Sequence, residues 1–246
     1  MFVHEKEVRK AALILVEQGM NDCEIARRLG IARTTVRDWR RPTYVPRRGR
    51  CPRCWQRVRR LVFTDADYAE LLGLYLGDGH ISQLARTQRL RLFLDSKYVA
   101  VVDEAEALLR RCFPQNHVGR ALVHDGAEAI LFVHSAHLAC LFPQHGPGKK
   151  HDRPILLEAW QRRLVESAPW AFLRGCIRSD GCVFVNRTGR YEYLSYGFTN
   201  YSPDILDLFE ATCVAQALQP RRYTTAIRLN RREDVAQLLE HVGLKY

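Results

Sequence analysis

The chain has 246 residues, 47% of them hydrophobic, and a formal net charge of +11 at pH 7, so it can bury a substantial core and favours a polyanionic partner. No apolar run approaches the roughly 18 residues that cross a bilayer, and MFVHEKEVRKA lacks the apolar centre of a signal peptide; a membrane partner is excluded and a cytoplasmic, nucleoid-associated location is expected. The eight cysteines read as scattered thiols rather than a disulfide framework.

The basic charge sits at the front. Residues 1–60 hold 16 Lys or Arg against 6 Asp or Glu, a net of +10, and the rest of the chain is close to neutral. The segment EKEVRKAALILVEQGMNDCEIARRLGIARTTVRDWRR predicts three helices with short breaks. Ala11 and Leu15 mark an apolar stripe on the first, which Gly19 and Asn21 end. Asn21 is then a good N-cap, with Glu24 placed to complete a capping box, and Ile25 and Leu29 share one face. Gly30 suits the left-handed stop of this helix, and Ile31 covers the corner. Val36 and Trp39 line the third helix, which leaves Arg33, Thr34, Arg37, Arg40 and Arg41 toward solvent. Ala32 stands where a Ser or Thr cap is expected, so the helix starts at Arg33 or Thr34 with less support. The stretch EIARRLGIARTTVRDW resembles the helix-turn-helix of resolvases and transposases, and the resemblance implies that the third helix enters a major groove. The alternative is a three-helix bundle with a solvated basic face.

Residues 42–60 have no helical period. Pro42 and Pro46 stop the preceding helix, and Arg47, Arg48 and Arg50 suit an arm that follows phosphates or a minor groove. Cys51 and Cys54 have the spacing of half a zinc knuckle, and zinc would need two further ligands from distant chain or a second copy. The alternative is a tight Cys-Pro-Arg-Cys turn.

LLGLYLGDGHIS (71–82) and FLRGCIRSDGCVF (172–184) are two versions of one segment. Thr64 is the expected cap of the helix leading into the first, with Asp67 at its third position, and Ser167 is the expected cap of the second. Gly73 and Gly77 lie one turn apart, as do Gly175 and Ser179. Glycine weakens a helix by roughly 0.5–1 kcal/mol, so small residues recurring on one face predict two helices packed backbone to backbone. Asp78 and Asp180, 102 positions apart, then meet at matching helix ends, and Gly79 and Gly181 are expected to turn the chain sharply into a strand. Two converging carboxylates need a proton or a cation, and aspartate oxygens suit Mg2+ or Mn2+, which bridge to phosphate oxygens. Asp-Gly is also an ordinary turn signal; repetition after like helices sets these two apart. His134, His137, His145 and His151 cross irregular chain and do not read as a metal site.

The first segment is followed by QRLRLFLDS, KYVAVVDEAEALLRRCF, HVGRALVHD, AEAILFVH and SAHLACLF, and the second by CVFVN, YEYLSYGFTN, SPDILDLFEATCVAQAL, YTTAIRLN and REDVAQLLEHVG. Each half reads helix, hairpin, helix, one or two strands, helix. The second has room for only one good strand or a very short hairpin before its last helix, so its sheet is expected to be the smaller.

On these residues the chain resembles the single-chain, two-motif LAGLIDADG homing endonucleases over residues 62–246, with LLGLYLGDG (71–79) and LRGCIRSDG (173–181) as the motifs. The resemblance implies an α+β fold, a pseudo-twofold pair of αββαββα halves (62–150 and 151–246) forming a saddle on a major groove. A helix-turn-helix domain at 1–45 and a basic linker at 46–61 precede it. The implied activity is sequence-specific cleavage of double-stranded DNA by a monomer, with Asp78 and Asp180 holding the divalent metals that hydrolyse one phosphodiester in each strand. Leu76 and Arg178 replace an earlier acid of the motif that does not hold metal.

Basic residues that steady phosphate charge are also implied. GKKHDR makes Lys149 and Lys150 the candidates, with a solvated connector as the alternative; no counterpart is evident at the C-terminus, where only Lys245 remains. For base reading, Arg89 and Arg91 alternate with Leu90 and Leu92 and give one basic and one apolar face. Arg187, Arg190 and Arg228 are further candidates, and Tyr191, Tyr193 and Tyr196 either stack on nucleotides or pack. The competing reading is a non-catalytic transcriptional regulator that joins such a fold to a helix-turn-helix, because most homing enzymes need no dedicated DNA-reading domain.

Overall fold

Three short helices form at the front of the chain because their caps and apolar spacing agree: α1 (Lys6–Glu17), α2 (Asp22–Leu29) and α3 (Arg33–Arg40). The computed structural model describes residues 6–40 and 63–245, and the chain divides into two units, residues 1–55 and 56–246. In the first unit Ala12, Ile25, Ile31, Val36 and Trp39 are buried together. The Asn21 side chain accepts the backbone N–H of Glu24 at 3.0 Å, while its amide nitrogen donates to the Glu24 carboxylate at 3.3 Å, a side-chain pair in place of the full capping box. Gly30 closes α2 at φ 64°, and α3 starts at Arg33 with the Ala32 carbonyl accepting from Thr35.

The second unit is built twice on one plan. Its first half runs α4 (Asp65–Asp78), β1 (Gly79–Gln83), β2 (Gln88–Asp95), α5 (Val99–Cys112), β3 (Val118–Val123), β4 (Glu128–Ser135) and α6 (Leu138–Leu141). A short 3-10 turn (Lys150–Asp152) and α7 (Ala159–Ser167) lead to the second half: α8 (Pro169–Asp180), β5 (Gly181–Thr188), β6 (Tyr191–Thr199), α9 (Pro203–Ala215), β7 (Arg221–Arg222), β8 (Ala226–Leu229) and α10 (Arg232–His241). The antiparallel sheets have the same order, β1-β2-β4-β3 and β5-β6-β8-β7, so the fold is α+β with two αββαββα halves. The second sheet is the smaller, as expected, because β7 and β8 contribute two and four residues where β3 and β4 contribute six and eight.

Every residue from Tyr68 to Leu76 in α4 is buried, as suits a helix covered on all sides. It begins with the expected box: Thr64 Oγ1 accepts the Asp67 N–H at 3.1 Å and the Asp67 carboxylate accepts the Thr64 N–H at 3.3 Å. Ser167 departs from expectation. It ends α7, and its hydroxyl donates to Asp65 at 2.7 Å in the first turn of α4, while α8 starts behind Ala168 with Pro169. The helix α7 is not among the elements expected from the sequence; it docks through Gln161, whose amide donates to Tyr68 Oη at 2.8 Å and pairs with the Gln144 amide, so this buried polar cluster is satisfied.

Gly79 and Gly181 turn the chain directly from helix into strand, as expected. Both have extended backbone, φ −86° and −91°. A Cβ at either would lie 2.7 Å from the Tyr75 carbonyl oxygen or 2.6 Å from that of Ile177. The strand leaves so close to the last helical turn that no side chain fits.

Candidate active site and nucleic-acid-facing sheets

The site is made by the contact between α4 and α8. A Cβ on Gly73 would lie 2.6 Å from the Phe172 carbonyl oxygen and 2.7 Å from the Cys176 nitrogen, and one on Gly175 would strike the Glu70 carbonyl and lie 3.0 Å from the Leu74 nitrogen. Each glycine thus meets the counterparts of the residues its partner meets, the reciprocity of a twofold interface. One turn later Ser179 packs on Gly77, and a Cβ there would lie 3.0 Å from Asp180 Oδ2. The two helices therefore end side by side, with Asp78 and Asp180 as their last residues. Nearby, Glu70 accepts from Arg178 at 2.7 Å and Arg174 at 3.4 Å, and Arg178 also pairs with Glu104. Arg178, where the motif has an earlier acid, ties the helices to α5.

Two helix C-termini and two carboxylates concentrate negative potential at one point. Burial, then the neighbouring Asp180 charge, raises the Asp78 carboxyl to about 7. Burial also raises Asp180, opposed first by the Asn200 amide, which donates to its Oδ2 at 2.6 Å, and then by Lys150 and Lys245. Lys150 Nζ donates to the Gly77 carbonyl at 2.7 Å, and Lys245 Nζ to the carbonyls of Ser179 and, at 3.0 Å, Gly181. Gly77 and Ser179 are equivalent positions of the two motifs, so each half sends one ammonium to the backbone beside its aspartate. Burial lowers both lysines, Lys150 to about 8, against the pull of the two carboxylates.

The structure separates the paired sequence candidates. Lys149 is exposed, whereas Lys150 is half-buried, and the counterpart of Lys150 is Lys245, which spacing from the motif did not reveal. A signal was present: Gly148-Lys149-Lys150 and Gly243-Leu244-Lys245 are two Gly-X-Lys triplets. Both glycines take positive φ, 75° and 80°. Among the described residues no three or more His, Cys, Asp or Glu side chains gather as a metal site. The oxygen-only pair of half-buried, neighbouring aspartates fits a hard divalent cation that keeps waters and phosphate oxygens as its other ligands.

The shifts have a measurable consequence for the metal-free protein. An Asp78 carboxyl near 7, against 3.8 when free, holds its proton more tightly in the folded chain; its stabilising effect is complete below about 4 and lost as pH rises through 7. Lys150, near 8 against 10.5, is penalised by folding while charged, and that penalty fades from about 8 to 10.5. The contribution of this pair to stability is thus lowest between about 7 and 8. In EDTA, Asp78→Asn is expected to reduce the fall in Tm between pH 5 and 7.5 relative to wild type, with the raised Asp180 carboxyl leaving a smaller one, and Mg2+ to raise wild-type Tm most near pH 8. Parallel pH profiles for the two proteins would exclude this account.

Outside the aspartates, the sheets sort the remaining candidates by face. Leu90, Leu92, Leu131 and Val133 fill the core side of the first sheet, so their strand neighbours Arg89 and Arg91 point outward. Arg89 stacks 4.2 Å from the Phe132 ring centre, and Arg91 donates to Ser82 at 2.9 Å. On the second sheet Tyr196, Phe198, Ile227 and Leu229 are buried, which makes Arg228, Tyr191 and Tyr193 outward and settles Tyr196 as packing. Arg187 alternates with Arg228's face, lies on the core-side register and pairs with Glu192 at 2.8 Å. Arg190, in the hairpin turn, stacks on Tyr191. On α3, Arg33, Thr34 and Arg37 are exposed and Arg40 is the last residue. Arg41, Arg47, Arg48, Arg50, Cys51 and Cys54 lie outside the described residues. No described helix is long and apolar enough to cross a membrane.

Residues 4–41 match the family model of the homeodomain-like domain. A comparison with curated proteins gives no match. Among solved structures the chain is similar to the N-terminal LAGLIDADG domain of DUF199/WhiA, at 14% identity over 76% of this chain and 85% of that one with a TM-score of 0.48. It is similar also to full-length DUF199/WhiA from Thermatoga maritima, at 14% identity over 73% of this chain and TM-score 0.48, spanning 56% of that protein's length. The homing endonuclease I-DmoI, in complex with DNA and Mn, is 11% identical over 74% of this chain and 98% of its own, with a TM-score of 0.49.

Proposed function

We propose that the chain is a sequence-specific, metal-dependent endonuclease of double-stranded DNA. The observation that carries this reading is the meeting of Asp78 and Asp180 at the paired ends of α4 and α8, each with a lysine from its own half of the unit on the adjoining carbonyl. Mg2+ or Mn2+ held by the two aspartates would supply Lewis acidity and an activated water at neutral pH. Asn200 fixes the orientation of the Asp180 carboxylate. Lys150 and Lys245 hold their ammonium groups on the carbonyls beside the two aspartates, and that charge would steady the negative charge developing on a bound phosphate. The helix-turn-helix at the front adds grip on the duplex, with Arg33, Thr34 and Arg37 available to a groove. One chain already contains both halves of the site, so it acts on DNA as a monomer.

A second reading has its own support. A separate helix-turn-helix unit can deliver sequence recognition without cleavage, which suits a transcriptional regulator. The two readings part in one experiment: duplexes selected from a randomised library for tight binding in EDTA are then given Mg2+ or Mn2+. Paired breaks, one in each strand, are expected. Tight binding with neither nick nor break in either metal would overturn the endonuclease and leave the regulator.

A further inference from the structure

We propose that Tyr98 is a positioning residue for the cutting of one strand only: its ring, from the first half of the unit, seats the Lys245 ammonium of the second half beside Asp78. This rests on the endonuclease reading above. Tyr98 stands where local rules favour another residue. It is the N-cap of α5, a place suited to Ser, Thr, Asp or Asn, and its side chain caps nothing; the N-cap of α9 in the second half is Ser202. A large ring at such a place breaks a local preference, as residues at functional sites do. It lines a cleft of about 160 Å3 together with Asp78, Asp95, Arg178 and Lys245.

Two ammonium groups lie on this ring. Lys245 Nζ is 5.2 Å from its centre and Lys97 Nζ 4.7 Å, both within reach of the ring's negative face. Asp95 pairs with Lys97 at 2.6 Å and accepts its backbone N–H at 3.1 Å, so the junction between β2 and α5 holds the ring from its own half. Lys245 then bridges the halves, donating to the carbonyls of Ser179 and Gly181 in the second while resting on a ring of the first. Tyr196 Oη donates to the Gly243 carbonyl at 2.9 Å and anchors the backbone that carries the lysine. Burial lowers Lys245, and Asp78 opposes this more than Asp180 does. A lysine has a flexible four-carbon stem, so a ring that fixes its head removes freedom that phosphate binding would otherwise have to remove.

Lys150 is seated differently. Its Nζ is also 5.2 Å from a tyrosine ring, but the ring is that of Tyr75, buried in the core of its own half, and Asp180 acts on it more than Asp78 does. The tyrosine at the second junction, Tyr201, is 74% exposed and faces the His151 ring at 5.8 Å. One lysine therefore rests on a core ring and the other on a half-buried ring, and a change at Tyr98 reaches only Lys245.

The test is single-turnover cleavage in Mg2+ of a duplex selected by binding, labelled on each strand in turn. Full-length wild type, Lys245→Met, Tyr98→Phe, Tyr98→Leu and the Lys245→Met/Tyr98→Leu double variant are compared, with Tm measured for each. Tyr98→Leu is expected to slow by about tenfold the strand that Lys245→Met slows, and to leave the other at the wild-type rate, so that singly nicked duplex accumulates. Phenylalanine keeps the ring and should preserve both rates, and the double variant should be no slower than Lys245→Met alone. A second readout needs neither metal nor DNA: the Lys245 ε-methylene proton signal, identified by its absence from Lys245→Met, should move downfield in Tyr98→Leu and stay in place in Tyr98→Phe. Equal slowing of both strands, slowing of neither, or an unmoved lysine signal overturns the proposal and leaves the endonuclease standing. A wild type that binds tightly and breaks neither strand overturns the endonuclease reading and the strand assignment with it.

Discussion

Asparagine at position 78 or 180 is expected to lower the rate of strand cleavage by about a thousandfold or more, since losing a metal ligand forfeits several kcal/mol of transition-state stabilisation. Duplex affinity should hold or rise slightly, because each substitution removes a negative charge facing phosphate. The substitution preserves size, and the amide can still meet the neighbouring groups, including the Asn200 donor at Asp180 after rotation. Single-turnover cleavage of a selected duplex in Mg2+ measures the first effect and equilibrium binding in EDTA the second. Full cleavage by Asp78→Asn would remove the paired-carboxylate site from the mechanism. Loss of binding together with cleavage would assign these aspartates to the fold. Lys245→Met provides a check on the lysine that motif spacing did not reveal: it should weaken cleavage while the same duplex remains bound.

The second large effect is on stability and has an unusual sign. Alanine for glycine inside a helix ordinarily stabilises by about 0.5–1 kcal/mol. Gly73→Ala and Gly175→Ala are each expected to destabilise instead, by about 1–3 kcal/mol or more, because the added methyl meets backbone and forces the helices apart. The obstacles are the Phe172 carbonyl at 2.6 Å and the Cys176 nitrogen at 2.7 Å for Gly73, and the Glu70 carbonyl for Gly175. For a unit of this size that corresponds to a Tm lower by roughly 2–12 °C. Separation would also strain the ion pairs from Arg174 and Arg178 to Glu70, which are costly to break when buried. A Tm equal to or above wild type in either variant would show that the helices do not depend on backbone contact at these points.

Much of this molecule is decided locally. The cap at Thr64, the left-handed stop at Gly30 and the alternation of Arg89 and Arg91 with leucines act through neighbours within a turn or a rung, and the small residues Gly73, Gly77, Gly175 and Ser179 recur one turn apart in both copies, so a linear sequence exposes them. They determine the helices, the hairpins, the twofold repetition and the meeting of Asp78 with Asp180. Tertiary structure alone decides what crosses long separations. Lys150 reaches the Gly77 carbonyl over 73 positions and Lys245 the Ser179 carbonyl over 66; no periodic rule relates a lysine on an irregular segment to a helix end so distant. Ser167, locally a good cap, is drawn to Asp65 because α7 ends against α4. Arg187 and Arg228 are alike as strand arginines in the sequence, yet register turns one toward Glu192 and the other outward beside Phe184 and Tyr223. The chain determines which elements form, and packing determines which charges they bring to the aspartates and to the open faces of the sheets.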